Sequence, residues 1–128
     1  MSHLLDTHAL LWWLDGDSKL SSAAKAAISN KELKVHVSAA TVWEITSKAR
    51  IGKLQHILPA ARNLMRVLAD EDFKLLPITV EHSFHAGWLP GKHKDPFDRI
   101  LAAQSIVEGF PLVTIDKRMA DLGATVLW

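Results

Sequence analysis

Five carboxylates stand at the ends of apolar segments or at the starts of helical ones. Asp6 follows the run HLL, Glu44 lies in SAATVWEI, Asp95 and Asp98 lie in HKDPFDR, and Asp116 follows LVTI. In an α/β fold the carboxyl ends of parallel strands and the adjacent helix starts share one edge of the sheet, so these side chains can converge there. Carboxylate oxygens suit Mg²⁺ or Mn²⁺, and two such ions can activate water and stabilise the leaving oxygen of a phosphodiester. The pattern therefore indicates a metal-dependent nuclease.

Each acid taken alone also has an ordinary structural role. Asp6 and Asp95 can cap the helices that follow them. Glu44 is harder to explain in this way, because it lies among apolar residues where an unpaired carboxylate is costly, so something should compensate its charge. Clustered acids repel one another, and a divalent ion removes that conflict; neutralising Asp116 is therefore expected to stabilise the metal-free protein. A structural salt bridge from Arg99 is the alternative source of counter-charge.

Composition limits what else the chain can hold. Its 128 residues, 48% of them apolar, suffice for one domain with a core, which we assign to residues 1–128. The absence of cysteine excludes disulfides and thiolate zinc sites. No apolar run approaches the roughly 20 residues of a membrane span, and the N-terminus lacks the pattern of a signal peptide. We therefore expect a cytoplasmic protein that does not enter a membrane.

The elements that must position the acids alternate between strands and helices. Strands are predicted at residues 3–5, 35–37, 74–76, 112–115 and 124–127. Helices are predicted at residues 7–15, from Ser21 or Ser22 to about 30, at 39–51, from Pro59 through 68, from Thr79 through 85, and at 96–108, with a loop at 87–94. Such alternation is typical of an α/β fold with a parallel sheet and helices on both faces.

Four segments, in order along nearly the whole chain, resemble one family. These are LLDTHALLW, SAATVWEITSKARIGKL, HKDPFDRILAAQS and LVTID, and they look like the VapC-type toxins among the PIN-domain ribonucleases, from type II toxin–antitoxin systems. The resemblance implies a three-layer α/β/α sandwich with a mainly parallel sheet of four to five strands. It also implies an endoribonuclease that hydrolyses RNA with one or two Mg²⁺ or Mn²⁺ ions held in an acidic pocket.

The family's catalytic and metal-binding acids can be carried over residue by residue. They fall on Asp6, Glu44, Asp98 and Asp116. Accessory positions fall on Asp95, Thr7 and Thr114. Asp95 is either an indirect ligand or a helix cap, and the two threonines can instead bond nearby backbone groups.

Two basic stretches accompany these acids. They comprise Lys48, Arg50 and Lys53 after the helical acid, and Lys92, His93 and Lys94 before the acidic pair. Both can flank the pocket and hold RNA phosphates, and solvated surface is the alternative. His93 can touch phosphate or orient Asp95.

Partners follow from the resemblance and from apolar surface. The resemblance implies a small antitoxin whose C-terminal segment covers the pocket, with a basic side chain paired to the acids. Trp13 and Trp43 are expected in the core, whereas Trp12 and Trp88 are expected to be exposed, where they can stack a base or fill an interface. Exposed apolar surface on these residues and on the Ala/Leu helices would favour a homodimer.

Other functions fit the sequence less well. A phosphoacceptor receiver domain needs an acidic pair after its first strand, whereas Asp6 stands alone, and a haloacid-type phosphatase needs an aspartate where His8 stands. Dinucleotide binding needs a GxGxxG motif, which is absent. The main alternative is a noncatalytic PIN-like module that binds RNA or protein and keeps its acids for metal-dependent stability.

Overall fold

A computed structural model, which describes residues Met1–Trp128, contains one sheet of five parallel strands in the order β3-β2-β1-β4-β5. The strands are β1 (Ser2–Leu5), β2 (Lys34–Ser38), β3 (Lys74–Leu76), β4 (Leu112–Val113) and β5 (Val126–Leu127). Leu5 at the end of β1 pairs with Val37 of β2 and with Val113 of β4. The central strands therefore end side by side, and the residues that follow them share one edge of the sheet.

Eight helices connect these strands. They are α1 (Thr7–Asp15), α2 (Ser22–Ser29), α3 (Ala39–Arg50), α4 (Leu58–Arg62), α5 (Leu64–Asp70), α6 (Val80–Trp88), α7 (Pro96–Glu108) and α8 (Arg118–Asp121), with a short 3-10 turn at Gln55–Ile57. Side chains that bond the first free backbone N–H groups begin five of them, namely Asp6, Ser21, Ser38, Thr79 and Asp95. The predicted caps are confirmed, and Ser21 rather than Ser22 caps α2.

The core has one part on each face of the sheet. Leu5 belongs to a cluster of 14 buried residues that includes Leu10 of α1 and Ile45 of α3. Leu4, which points to the opposite face of the same strand, belongs to a second cluster of seven with Leu101 of α7. The predicted three-layer sandwich is therefore confirmed. No helix combines the length and the apolar character needed to cross a membrane.

Four local predictions differ from the structure. The helix predicted from Pro59 is broken at Asn63, whose backbone has φ −113° and whose side chain donates to the Pro59 carbonyl, 2.9 Å away. β4 ends at Val113, not at residue 115. α6 extends through Trp88 and shortens the predicted loop, and α8 was not predicted.

Exposure of the tryptophans also differs in part from expectation. Trp43 is 65% exposed and lies against Phe97, so its placement in the core was wrong. Trp88 is 81% exposed, as expected. Trp12 is half-buried against the core and Trp128, and Trp13 packs on the same core.

Candidate metal centre

Asp6 is a buried carboxylate at the end of β1. It is 7% exposed, and its Oδ1 accepts from the Ala9 backbone N–H at 2.7 Å, which caps α1. Its Oδ2 accepts from the Thr114 hydroxyl at 2.5 Å. Burial raises the pKa of Asp6. The two hydrogen bonds lower this pKa in part, and the negative charge of the nearby Asp98 raises it further. The side chain therefore has both a structural role and an unfavourable charge that a cation would relieve.

Thr114 connects Asp6 to the loop that carries Asp116. Its hydroxyl donates to Asp6 and accepts from the Asp116 backbone N–H at 3.0 Å. The Thr114 backbone N–H still donates to the Leu127 carbonyl of β5 at 3.2 Å, and the bond to Asp116 forms a turn just beyond that residue. Thr114 therefore bonds a nearby backbone group, which was the alternative role predicted for it, and it also orients Asp6.

Asp95 and Asp98 have different roles at the start of α7. Asp95 accepts from the backbone N–H groups of Phe97 and Asp98 at 2.9 and 3.3 Å, so it is a helix cap, one of the two roles predicted for it. Asp98 Oδ2 lies 2.7 Å from Nε2 of His93. Burial raises the pKa of Asp98, and the contact with His93 lowers it in part. The negative charges of Asp95 and Asp116 raise it further. His93 thus contacts Asp98 and not Asp95, contrary to prediction.

Asp116 is paired within the chain. Arg118 donates from Nε to Oδ1 at 3.0 Å and from Nη2 to Oδ2 at 2.8 Å, and its backbone N–H also donates to Oδ1 at 3.0 Å. The hydrogen-bonded guanidinium holds the pKa of Asp116 below its usual value. Arg118 thus compensates the charge of Asp116, which argues against the expectation that neutralising Asp116 stabilises the metal-free protein; that expectation stays a prediction. Arg118 was not among the predicted site residues, and its only signal in the sequence was its position two residues after an acid.

Glu44 lies in a separate polar contact on α3. Thr7 donates its hydroxyl proton to Glu44 Oε1 at 2.6 Å and can accept from the Thr41 hydroxyl 3.2 Å away, while Lys48 donates to Glu44 Oε2 at 2.6 Å. Lys48, one helical turn further along, is thus the compensating charge that the apolar surroundings of Glu44 required. The predicted contact of Lys48 with RNA phosphate stays a prediction, and Lys48 would make it from a side chain that is already paired with Glu44. Thr7 orients a carboxylate and does not merely bond the backbone.

Three potential ligand atoms come together at the edge of the sheet. One nitrogen of His93 and one oxygen each of Asp98 and Asp116 lie within 4.8 Å of one another. Two carboxylates and an imidazole are a donor set that fits a divalent ion. Asp6 is joined to this group through Thr114, whereas Glu44 lies outside it.

The remaining basic residues divide between two places. At about 100° per residue, Arg50 lies 240° around α3 from Glu44 and therefore on a different face of the helix. It lines a cavity of about 540 Å³ with Arg62 and Gln55. Lys53 is exposed beyond the end of α3. None of the acids lines that cavity, so Arg50 faces a different part of the surface from the metal centre. The RNA-contact role of Lys53 stays a prediction.

The second basic stretch does lie beside the acids. Lys92 and His93 line a cavity of about 330 Å³ together with Arg118. Lys94 is exposed next to Asp95. Phosphate groups of a bound polyanion can therefore meet positive charge on this side of the centre.

Arg99 makes no salt bridge with Asp98. Its guanidinium donates to the carbonyl oxygens of Ala86 and His93 at 3.0 Å each and to that of Leu89 at 2.5 Å. The predicted structural salt bridge is therefore wrong. Arg99 instead fixes the loop between α6 and α7, and with it the backbone of His93.

Comparison with known proteins agrees with this architecture. The family profile described as PIN domain matches residues 3–124. The chain is 32% identical over 117 residues to Ribonuclease VapC22 of Mycobacterium tuberculosis, an alignment that covers 91% of this chain and 88% of that protein.

Solved structures share the fold at low sequence identity. VapBC2 from Rickettsia felis, bound to a DNA fragment from its promoter, matches with a TM-score of 0.74 and 15% identity over 100% of this chain and 98% of that one. VapC20 of M. tuberculosis, described as a toxin that cleaves the sarcin-ricin loop, matches with a TM-score of 0.73 and 16% identity over 99% and 98% of the two chains.

Proposed function

Because the chain belongs to the PIN-domain family, we propose that it is an endoribonuclease that acts as the toxin of a toxin–antitoxin pair. One observation carries this proposal. Two carboxylates and an imidazole meet at the carboxyl edge of the sheet, and the buried carboxylate of Asp6 is tied to them through Thr114. The relative that is 32% identical to this chain over 117 residues is named as a ribonuclease.

The chain's own residues supply a place and an orientation for the reaction. Asp98 and Asp116 would hold a Mg²⁺ or Mn²⁺ ion, with Asp6 as a third acid. Glu44, which Thr7 orients and Lys48 pairs with, would contribute only to a second ion. When bound, such ions activate a water for in-line attack on phosphorus and offset charge on the leaving 3′ oxygen. The expected products carry a 5′-phosphate and a 3′-hydroxyl.

Metal-dependent cleavage is the direct test of this activity. Purified protein should cut a structured RNA in Mn²⁺ and stop when a chelator is added. Asp98→Asn should lower the rate by orders of magnitude, whereas Asp95→Asn, which keeps a good helix cap, should change it much less. Cutting that persists in chelator would exclude the metal mechanism, and equal losses in the two variants would show that Asp95 is no mere cap.

RNA phosphates are expected on the basic side of the centre. Lys92 and Lys94 lie next to the acids, and Arg118 lines the same cavity as Lys92. Replacing Lys92 by Gln should weaken RNA binding and lower the dependence of that binding on salt. Arg50→Gln is the matched control, because Arg50 lies in a separate cavity.

A noncatalytic PIN-like module that binds RNA or protein remains the second candidate. The contact between Asp116 and Arg118 favours it in one respect, since a paired acid can persist for structure alone. Loss of RNA cleavage in Asp6→Asn, in a variant that still folds, separates the two, because a noncatalytic module would show no cleavage to lose.

An antitoxin is the expected protein partner. The fork of Arg118 on Asp116 already demonstrates that a guanidinium fits a carboxylate of this centre. A basic side chain from a small antitoxin, presented by its C-terminal segment, would reach the acids in the same way. Expression of the chain alone in a bacterial cytoplasm should arrest growth, and co-expression with the partner should give a stable complex with little ribonuclease activity. Harmless expression of soluble protein that cuts RNA in vitro would exclude the toxin role only.

A homodimer is expected through the outer face of α6. Val80, Phe84 and Trp88 recur every four residues along this helix and are 88%, 57% and 81% exposed. Leu75 on the edge strand β3 is a further apolar side chain, 49% exposed. An apolar surface of this kind can pack against the same surface of a second copy related by two-fold symmetry. Such a contact buries the same residues in both copies.

A further inference from the structure

We propose that His93 is a direct nitrogen ligand of the divalent ion and that this ligand makes the centre prefer Mn²⁺ to Mg²⁺. The inference rests on the proposed function only in assuming that the acids hold a divalent ion. It adds a ligand that the acidic motif does not contain and a reason for the choice of metal.

Geometry supports this role. Adjacent ligands of an octahedral ion with bonds of about 2.1 Å lie about 3 Å apart, and opposite ligands lie about 4.2 Å apart. The nitrogen of His93 and the oxygens of Asp98 and Asp116 all lie within 4.8 Å of one another, and His93 Nε2 is 2.7 Å from Asp98 Oδ2. The three atoms therefore lie near the spacing of ligands on one ion, and Asp116 would bind that ion in place of part of its contact with Arg118.

The imidazole of His93 is held in place before any ion binds. Its side chain is 11% exposed. Its backbone carbonyl accepts from Arg99, which also grips the carbonyls of Ala86 and Leu89 and so fixes the loop between α6 and α7. A ligand on a fixed loop loses little conformational entropy when the ion arrives.

Contact with RNA phosphate explains this position less well. The ring nitrogen of His93 points at a carboxylate and lies close to a second one, and both would repel a phosphate group at that place. A role limited to orienting Asp98 through a hydrogen bond is the remaining alternative. Spectroscopy of the bound ion separates this orienting role from direct ligation.

The donor set determines the metal preference. Mg²⁺ takes oxygen ligands and keeps several of its waters, so an imidazole adds little to its binding. Imidazole is a good ligand for the softer divalent ions, whose affinity for mixed nitrogen and oxygen sites rises from Mn²⁺ through Fe²⁺ to Co²⁺. A centre with two carboxylates and one imidazole should therefore discriminate against Mg²⁺.

Pulsed electron paramagnetic resonance of bound Mn²⁺ tests ligation directly, without any RNA. The wild-type protein should show nitrogen modulation of the imidazole type, which changes when histidine is labelled with ¹⁵N. His93→Asn should abolish it, although asparagine can still donate a hydrogen bond to Asp98. His85→Asn is the matched control, because His85 is 53% exposed on α6, and this variant should keep the signal. Absence of nitrogen modulation in the wild type would overturn the proposal.

Calorimetric titration with Mn²⁺ and Mg²⁺ provides the second readout. His93→Asn should weaken Mn²⁺ binding about 10-fold or more while Mg²⁺ binding changes much less. Equal losses for both ions would indicate that His93 only orients Asp98, which also overturns the proposal. Nitrogen-ligated Mn²⁺ in a protein that cuts no RNA would support the ligand and reject the proposed activity, so the two failures can be told apart.

Discussion

Replacing Thr114 by valine should lower the free energy of unfolding of the metal-free protein by about 2–4 kcal/mol at neutral pH. Thr114 is 2% exposed, and valine keeps its branched shape but lacks the hydroxyl. The hydrogen bond to Asp6 contributes about 1.5–3 kcal/mol when that carboxyl is ionised, and the bond from the Asp116 backbone N–H contributes about 1 kcal/mol. This loss is a large part of the stability of a small domain, typically 5–15 kcal/mol.

The loss should depend on pH in a definite direction. Burial raises the pKa of Asp6, and the Thr114 hydroxyl is the largest influence that opposes it, so Thr114→Val should raise this pKa further. A folded-state pKa above the unfolded value means that the unfolded chain releases its proton first as pH rises. The resulting destabilisation is absent below the unfolded pKa and fully present above the folded one. The part of the loss that involves Asp6 should therefore shrink on acidification, while the part from the Asp116 N–H should remain.

Urea unfolding followed by circular dichroism, at pH 7 and near pH 4.5 in the presence of chelator, measures both effects. Thr46→Val is the matched control, because its exposed hydroxyl bonds only carbonyls of its own helix, at 2.9 and 3.2 Å. The control should stay within about 0.5 kcal/mol of the wild type. A Thr114→Val protein as stable as the control, or one with the same loss at both pH values, would refute the reasoning.

Three further perturbations test the charge pattern and the surface. Asp98→Asn should raise the melting temperature of the metal-free protein at neutral pH and lose this advantage as pH falls below the ordinary aspartate pKa, because burial raises the pKa of Asp98. Asp116→Asn should not raise the melting temperature, because the contact with Arg118 lowers the pKa of Asp116. A rise in Asp116→Asn but not in Asp98→Asn would contradict these two pKa directions. Arg118→Gln should tighten Mn²⁺ binding about 2- to 5-fold in a calorimetric titration, the size expected of an exposed ion pair. Lys92→Gln removes the same charge from the same cavity without touching Asp116, so an equal gain there would show a general charge effect. Phe84→Glu should convert a dimer to a monomer in light scattering, and an unchanged mass would exclude α6 as the interface.

Local signals in the sequence determined where the elements begin and which acids belong to their ends. The capping roles of Asp6, Ser38, Thr79 and Asp95 could be predicted because a cap bonds backbone N–H groups only two or three residues away. The order of apolar segments and helices predicted the parallel sheet and thus the meeting of Asp6 and Asp116 at one edge.

Tertiary structure alone decided which charge meets which partner. Asp116 and Arg118, two residues apart, are the local exception. Asp98 meets His93, and Arg99, which is adjacent to an acid in sequence, bonds carbonyls instead. These contacts depend on the direction in which each loop leaves the sheet and on how α6 packs against α7, and no short-range pattern encodes either. The exposure of Trp43 is a similar case, because an apolar helix reveals its buried face only when its neighbours are in place.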